Sequence, residues 1–312
     1  MNAQHYKRLF IATLLLFALQ SATAQTSFPL SMVTTAPKQL NPALTGTPDG
    51  RFRAHLSFKS QIGRELTGGI SGTGISVDYN FADRQMGLGL SVFSNSLNRT
   101  ALRDFNLMVS YSYRLFLNEW SLLSFGVQSG FAQVGFDIDA LRFGSQFDPS
   151  HQGGFDPNAP RPFELQSGNK NNIDASVGVH WQAFLGTSTL LTTGISAFHL
   201  IPVRMDFLRE DTYLRPKYVM MLELRHAREP FHFIPSVLHA TQSGQSYTEW
   251  GGRVEFRDGA NFASVGVFYR TPNVLIPAIG FGIDRFALNL SIEYYLRTSF
   301  SQIFNISLVF RP

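Results

Sequence analysis

The feature that most constrains this chain is an alternation with a period of two residues, repeated along almost its whole length. From Phe105 onward, Phe105, Leu107, Val109, Tyr111, Tyr113, Leu115 and Leu117 take one set of positions. Asn106, Met108, Ser110, Ser112, Arg114 and Phe116 lie between them. Successive side chains of a strand point to opposite faces, so this spacing gives an apolar face backed by a largely polar one. The same opposition sets Phe52, Ala54, Leu56 and Phe58 against Arg53, His55, Ser57 and Lys59. Further on, Tyr218, Met220, Leu222 and Leu224 oppose Lys217, Glu223 and Arg225. Trp250, Val254 and Phe256 oppose Glu249, Arg253, Glu255 and Arg257, and Leu288, Leu290, Ile292 and Tyr294 oppose Asn289, Ser291 and Glu293. About 14 such segments run from 52–60 to 302–311, with the alternation blurring at 188–199 and 230–240.

A soluble β-sandwich alternates equally well. The connections separate the two architectures. Every other one is short: Ala82-Asp83-Arg84, Asn118-Glu119, Gly186-Thr187, Arg228-Glu229, Asp258-Gly259 and Asp284-Arg285. Most of the intervening ones are longer, notably 135–171 and 200–215, with Thr271-Pro272-Asn273 as a short exception. Short periplasmic turns alternating with long outer loops are the pattern of an outer-membrane barrel. A charge facing lipid at mid-depth costs roughly 2–4 kcal/mol, so the ionic faces belong inside. The expectation is an all-β, antiparallel transmembrane barrel over 51–312. Its last strand, with Phe304, Ile306, Leu308 and Phe310 facing lipid, pairs with the first, because an open edge finds no water in hydrocarbon.

The chain opens on an export signal. Lys7 and Arg8 precede an apolar stretch from Leu9 to Leu19, and Ala22-Thr23-Ala24 gives a small-x-small cleavage site. Residues 1–24 are therefore expected to be removed, leaving 25–50 as a periplasmic N-terminal segment. Beyond them no apolar run approaches the roughly 20 residues of a spanning helix. Losing Lys7 and Arg8 lowers the formal charge from +4 to +2, which is no footprint for nucleic acid. With no cysteine, neither a disulfide nor a lipid-modified cysteine is available.

At Leu40-Asn41-Pro42-Ala43-Leu44-Thr45-Gly46 the chain resembles the PorP/SprF family of the type IX secretion system. Later segments are similar to that family too. They include the Tyr-Ser-Tyr-Arg-Leu core within Leu107 to Leu115, Phe125 to Phe131, Leu141 to Pro149, Asn172 to Trp181, and Tyr269-Arg270 with the run through Gly280. Two places depart from the family pattern: Ser291-Ile292-Glu293-Tyr294-Tyr295 in the penultimate strand and Ser301-Gln302-Ile303-Phe304-Asn305 before the last. They suggest a divergent paralogue. The resemblance implies an outer-membrane component of type IX secretion or gliding motility. Its partners would be periplasmic ring subunits and a secreted surface protein.

Several residues are candidates for function. Asn41, Pro42, Ala43 and Gly46 read as a periplasmic partner segment, as a stretch tucked into the barrel mouth, or as a turn feeding the first strand. Phe147, Asp148, Phe155 and Asp156, in repeated Phe-Asp-Pro triplets of the 135–171 loop, read as a cell-surface contact. Arg53, Lys59, Arg114, Glu223, Arg225, Arg253 and Glu255 are lumen charges that either line a pore or neutralise one another. Asp137, Asp139, Asp148 and Asp156 lack the D-x-D-x-D-G spacing of a calcium loop, and His226, His232 and His239 have no metal-ligand spacing. No serine elbow, Walker loop or dinucleotide fingerprint marks catalysis, so no enzyme and no cofactor is expected. The function expected is a scaffold supporting export or attachment of a surface protein, and the alternative is a passive porin or small-molecule transporter. Intact-mass measurement on the outer-membrane fraction is expected to give a mature chain beginning at Gln25.

Overall fold

A computed structural model describes residues 30–31, 34–47, 50–62, 69–81, 85–97, 102–141, 143–147, 154–156, 158–159, 167–205, 213–296 and 302–311. The export signal, the Ala82-Asp83-Arg84 turn and Asp148 lie outside them. Strands take up most of the described chain: β1 (Phe52–Ile62), β2 (Ile70–Phe81), β3 (Met86–Leu97), β4 (Leu102–Asn118), β5 (Ser121–Phe136), β6 (Gly168–Leu185) and β7 (Thr189–Phe198). A small ribbon follows, β8 (Val203–Arg204) with β9 (Tyr213–Leu214). The second half holds β10 (Lys217–Arg228), β11 (Phe231–Gln242), β12 (Gln245–Asp258), β13 (Asn261–Arg270), β14 (Val274–Ile283), β15 (Phe286–Tyr295) and β16 (Gln302–Phe310).

All but β8 and β9 form one closed barrel of 14 antiparallel strands. Each strand pairs with its neighbours in sequence, β7 pairs with β10 across the ribbon, and β1 pairs with β16. The closing seam runs from Ala54 opposite Phe310 to Ile62 opposite Gln302, so no strand edge is left to face hydrocarbon along it. No described helix is long and apolar enough to cross a membrane. The span is made by strands alone.

The alternation resolves into an outside and an inside. Leu56, Phe58, Val109, Val127, Trp250, Ile306 and Leu308 are exposed on the outer surface, whereas Arg53, His55, Ser110, Ser112, Glu249 and Ser307 between them are buried. Near the short-turn end the outer surface carries Phe116, Trp120, Phe184, Phe231, Phe256 and Phe286. Amphipathic and aromatic rings favour the membrane–water boundary, and these mark one girdle of the barrel. Some pack pairwise across strands: Phe231 on Phe256 with ring centres 5.5 Å apart, Phe286 on Phe310 at 4.9 Å.

The short links lie together at this end and the long ones at the other. A second short outer link joins the Thr271-Pro272-Asn273 exception. β11 and β12 run on to Gln242 and Gln245, leaving Ser243-Gly244 as a two-residue hairpin. Both residues have positive φ, 54° and 77°, the backbone that matches a two-residue turn to the twist of its strands. Three strands, β4, β5 and β6, are 17, 16 and 18 residues long, and β6 runs on at the loop end past its last pair with β7, Val177 opposite Ala197.

Ile306 lies midway along β16 and faces lipid, while Phe286 starts β15 at the boundary. Ile306→Arg is expected to lower stability in lipid vesicles by roughly 2–4 kcal/mol, and Phe286→Arg by about 0–1 kcal/mol, in a urea titration. Equal losses at the two depths would contradict the placement of the membrane.

Candidate functional site

The lumen is where the chain's unusual chemistry collects, and the N-terminal segment occupies it. Two proline-led turns shape this segment. Pro37 begins a single helical turn, Pro37–Leu40, at the position where a missing N–H costs nothing. Asn41 then caps the 3-10 turn Pro42–Leu44, its Oδ1 accepting from the Ala43 N–H at 2.9 Å. Gly46 follows with φ of +62°, and a Cβ there would meet Gly87 Cα at 2.6 Å and the Tyr79 carbonyl at 2.8 Å. Only glycine satisfies both demands.

The segment crosses the barrel lengthwise. At the loop end the Leu30 N–H donates to the Tyr247 hydroxyl at 2.7 Å and the Ser31 hydroxyl donates to Glu249 at 2.9 Å. Midway, Lys38 is fully buried and donates to the carbonyls of Val77 and Leu90 at 2.7 and 2.6 Å. Asn41 donates to the carbonyls of Val179 on β6 and Ile195 on β7, at 2.9 and 3.2 Å. The Ser196 hydroxyl donates to Leu40, and the Ser112 hydroxyl to Thr45. Near the short-turn end the Gly46 N–H donates to Asp78 at 2.8 Å, and Arg114 donates to the Gly46 carbonyl. On the opposite side Leu40 and Leu44 pack with Val219, Met221, Leu238, Ala240 and Tyr247 in an apolar cluster inside the barrel.

Asn41, Pro42 and Ala43 are thus buried in the lumen and do not form a periplasmic surface; Gly46 is buried beside β2 and β3. Gly126 of β5 makes room for them, since a Cβ there would run into the backbone of Pro42 and Ala43. The barrel wall is cut back where the segment rests.

The lumen charges fall into pairs and small networks. Arg53 holds Asp78 through two nitrogens, at 3.0 and 2.7 Å, and reaches the Leu44 carbonyl. Lys59 pairs with Glu293 at 3.0 Å, and Glu293 also takes Arg270 at 2.8 Å. Arg270 spans both Glu293 and Glu249, also at 2.8 Å, with all three side chains 1% exposed. Arg253 lies between Glu223 at 3.6 Å and Glu255 at 3.1 Å, and Arg257 takes the other oxygen of Glu255 at 2.8 Å. Arg114 donates to Met86 and Asn80 as well as Gly46. Arg225 lines a cavity with the Arg253 and Arg257 group.

Cavities remain beside the segment. One of about 210 Å³ lies in the loop-end half, among Lys59, Asn95, Asp104, Asp174, His199 and Lys217. Another, of about 330 Å³, lies in the short-turn half. On the long outer loop Phe147 and Phe155 meet edge to face with centres 5.6 Å apart, and the Asp156 N–H donates to the Gln146 carbonyl. His226, His232 and His239 bond separately to Thr189, Glu229 and Thr248. Among the described residues no group of three His, Asp or Glu side chains is arranged to hold a metal.

The centre of this site was hard to foresee from the strand pattern. Arg270 closes a segment, and only register brings it beside Glu249 and, through β14 and β15, towards Glu293. A usable signal was present on β10 and β11, where Val219, Met221 and Leu238 put apolar groups on faces that elsewhere carry charge. Such residues mark a lumen that is packed, not wet.

A family model described as type IX secretion system membrane protein PorP/SprF matches residues 22–310. The chain belongs to the PorP/SprF family. Among solved structures, this PorP/SprF protein is similar to the Pseudomonas putida toluene transporter TodX. The two share 12% identity over 89% of this chain and 93% of that one, with a TM-score of 0.53. A mutant of the TodX monoaromatic hydrocarbon channel gives 12% identity, 89% and 95% coverage, and a TM-score of 0.50. At these identities the likeness is one of fold: an outer-membrane barrel. No curated protein sequence matches the chain.

Arg270→Met would leave Glu249 and Glu293 buried without their shared cation. It is expected to cost about 3–5 kcal/mol in urea unfolding of the vesicle-inserted protein. A loss under 1 kcal/mol would mean the network is hydrated, not buried.

Proposed function

We propose that this PorP/SprF protein is a plugged, non-conducting scaffold in the outer membrane. Its short-turn rim engages periplasmic ring subunits of the secretion or gliding machinery. Its long loops, with Phe147, Asp148, Phe155 and Asp156 as contacts, support export or attachment of a surface protein. One observation carries this reading: residues 30–31 and 34–47 lie in the lumen and are bonded to both halves of its wall. A diffusion pore needs an open water path, and this one is crossed by a packed peptide whose buried groups are largely paired. The seven lumen charges named from the alternation also act mostly on one another and on that peptide.

The rival reading is a small-molecule transporter, for which the likeness to a toluene transporter and the cavities beside the plug speak. Transport by that route would require the plug to move, breaking the Asn41, Lys38 and Gly46 bonds together. Each net hydrogen bond is worth about 0.5–1.5 kcal/mol, so release of the group is costly.

Two measurements divide the readings. Intact protein in planar bilayers is expected to pass no steady current, while deletion of residues 34–47 opens one. Crosslinked cells are expected to yield periplasmic secretion subunits with the purified barrel. Steady currents from the intact chain, or a pull-down without any secretion component and normal secretion in a deletion strain, would overturn the scaffold.

A further inference from the structure

The cavity in the short-turn half has a composition that the plug does not explain. It runs from Thr35, Pro37 and Leu40 of the plug to Leu190, Ala287 and Arg311 at the ends of strands, so it reaches the periplasmic mouth. Its wall carries Arg225, Arg253 and Arg257 against two carboxylates, Glu223 and Glu255. Those carboxylates are already engaged: Glu255 by Arg253 and Arg257, Glu223 by Arg253. Arg225 faces Glu255 closely enough for its charge to act on that carboxylate, but among the described residues it makes no hydrogen bond or ion pair at contact distance. Three guanidiniums thus face two carboxylates, which leaves an excess of one positive charge among these five groups.

The deeper wall holds a further unsatisfied polar group. His180 lines the same space, is 2% exposed, and has no partner on either ring nitrogen among the described residues. Arg53, also on the wall, is neutralised by Asp78 and adds no free charge. At about 330 Å³ the cavity stands near the lower end of the roughly 300–1,000 Å³ usual for ligand pockets. That is room for a few side chains of an extended peptide and none for a folded domain. Low-dielectric walls around a cationic mouth also concentrate anions there.

We propose that this vestibule docks an acidic peptide segment of a periplasmic partner, its carboxylates bound by Arg225, Arg253 and Arg257. Guanidinium forks match carboxylates in bidentate geometry, which favours Asp and Glu side chains over a point-charge contact. The proposal rests on the scaffold reading and gives it a binding site. The partner would hold the barrel from within its mouth as well as at its rim. Arg225 would contribute the most affinity per side chain, because Arg253 and Arg257 hold Glu255 at contact distance and Arg225 has no such contact to break.

The test uses the full mature chain in detergent, with retained heat-modifiable migration as the control for folding. Fluorescence anisotropy would follow an end-capped, labelled octapeptide alternating Asp and Gly, and its Asn–Gly isostere. The acidic peptide is expected to bind at least about tenfold tighter than the isostere, a difference of about 1.4 kcal/mol. Arg225→Glu should erase that preference and Arg225→Gln should reduce it. Inorganic phosphate at the same concentration should leave the bound peptide in place. Equal binding of the two peptides, no effect of Arg225→Glu, or displacement by phosphate would overturn the proposal. Crosslinked pull-downs separate this failure from that of the scaffold. Recovery of secretion subunits equally by wild type and Arg225→Glu removes the vestibule and keeps the scaffold, whereas recovery by neither removes the scaffold itself.

Discussion

Hydrocarbon offers no hydrogen-bonding partner to a peptide group, and the rest of this structure follows from that deficiency. Closing β1 onto β16 gives every barrel strand a hydrogen-bonded neighbour on both sides. Closure divides the side chains in two. Those facing lipid must be apolar, and the polar remainder is confined to a narrow interior, where it meets its own kind at short range. The alternation in the sequence is the trace of this division.

Confinement then creates a second problem. Charges forced inward are far from bulk water and must find partners there. Arg270 with Glu249 and Glu293, Arg53 with Asp78, and the Glu223–Arg253–Glu255–Arg257 chain are the solutions visible in the wall. The N-terminal segment supplies further partners from its own backbone: the Leu30, Leu44 and Gly46 carbonyls accept from Arg270, Arg53 and Arg114. Plug and wall therefore share one polar network, and removing either leaves the other unsatisfied.

Much of the barrel was legible because it rests on local rules. Period two, turn residues and the alternation of short and long links are each readable within about a dozen residues. The link between β11 and β12 is hard to bound from the pattern because Thr241 and Gln242 are polar, although they continue the ladder to Ser246 and Gln245. The plug was less legible for a different reason. Asn41-Pro42 announces a turn, but nothing near it tells that its partners are carbonyls more than a hundred residues away on β6 and β7. Paired charges were similar: their presence on the inner face followed from periodicity, while their partners depended on register around the whole circle.

Among the described residues, the polar bonds from residues 38–46 to the barrel wall reach strands β1 to β7, whereas Leu30 and Ser31 bond to β12 and β13. Within the sheet the two halves of the circle adjoin where β7 meets β10 and where β16 meets β1. A hoop joined solely around its circumference flattens easily under lateral pressure from the bilayer. One tied across its diameter resists becoming oval, and this chain carries its own strut, threaded ahead of the first strand it braces.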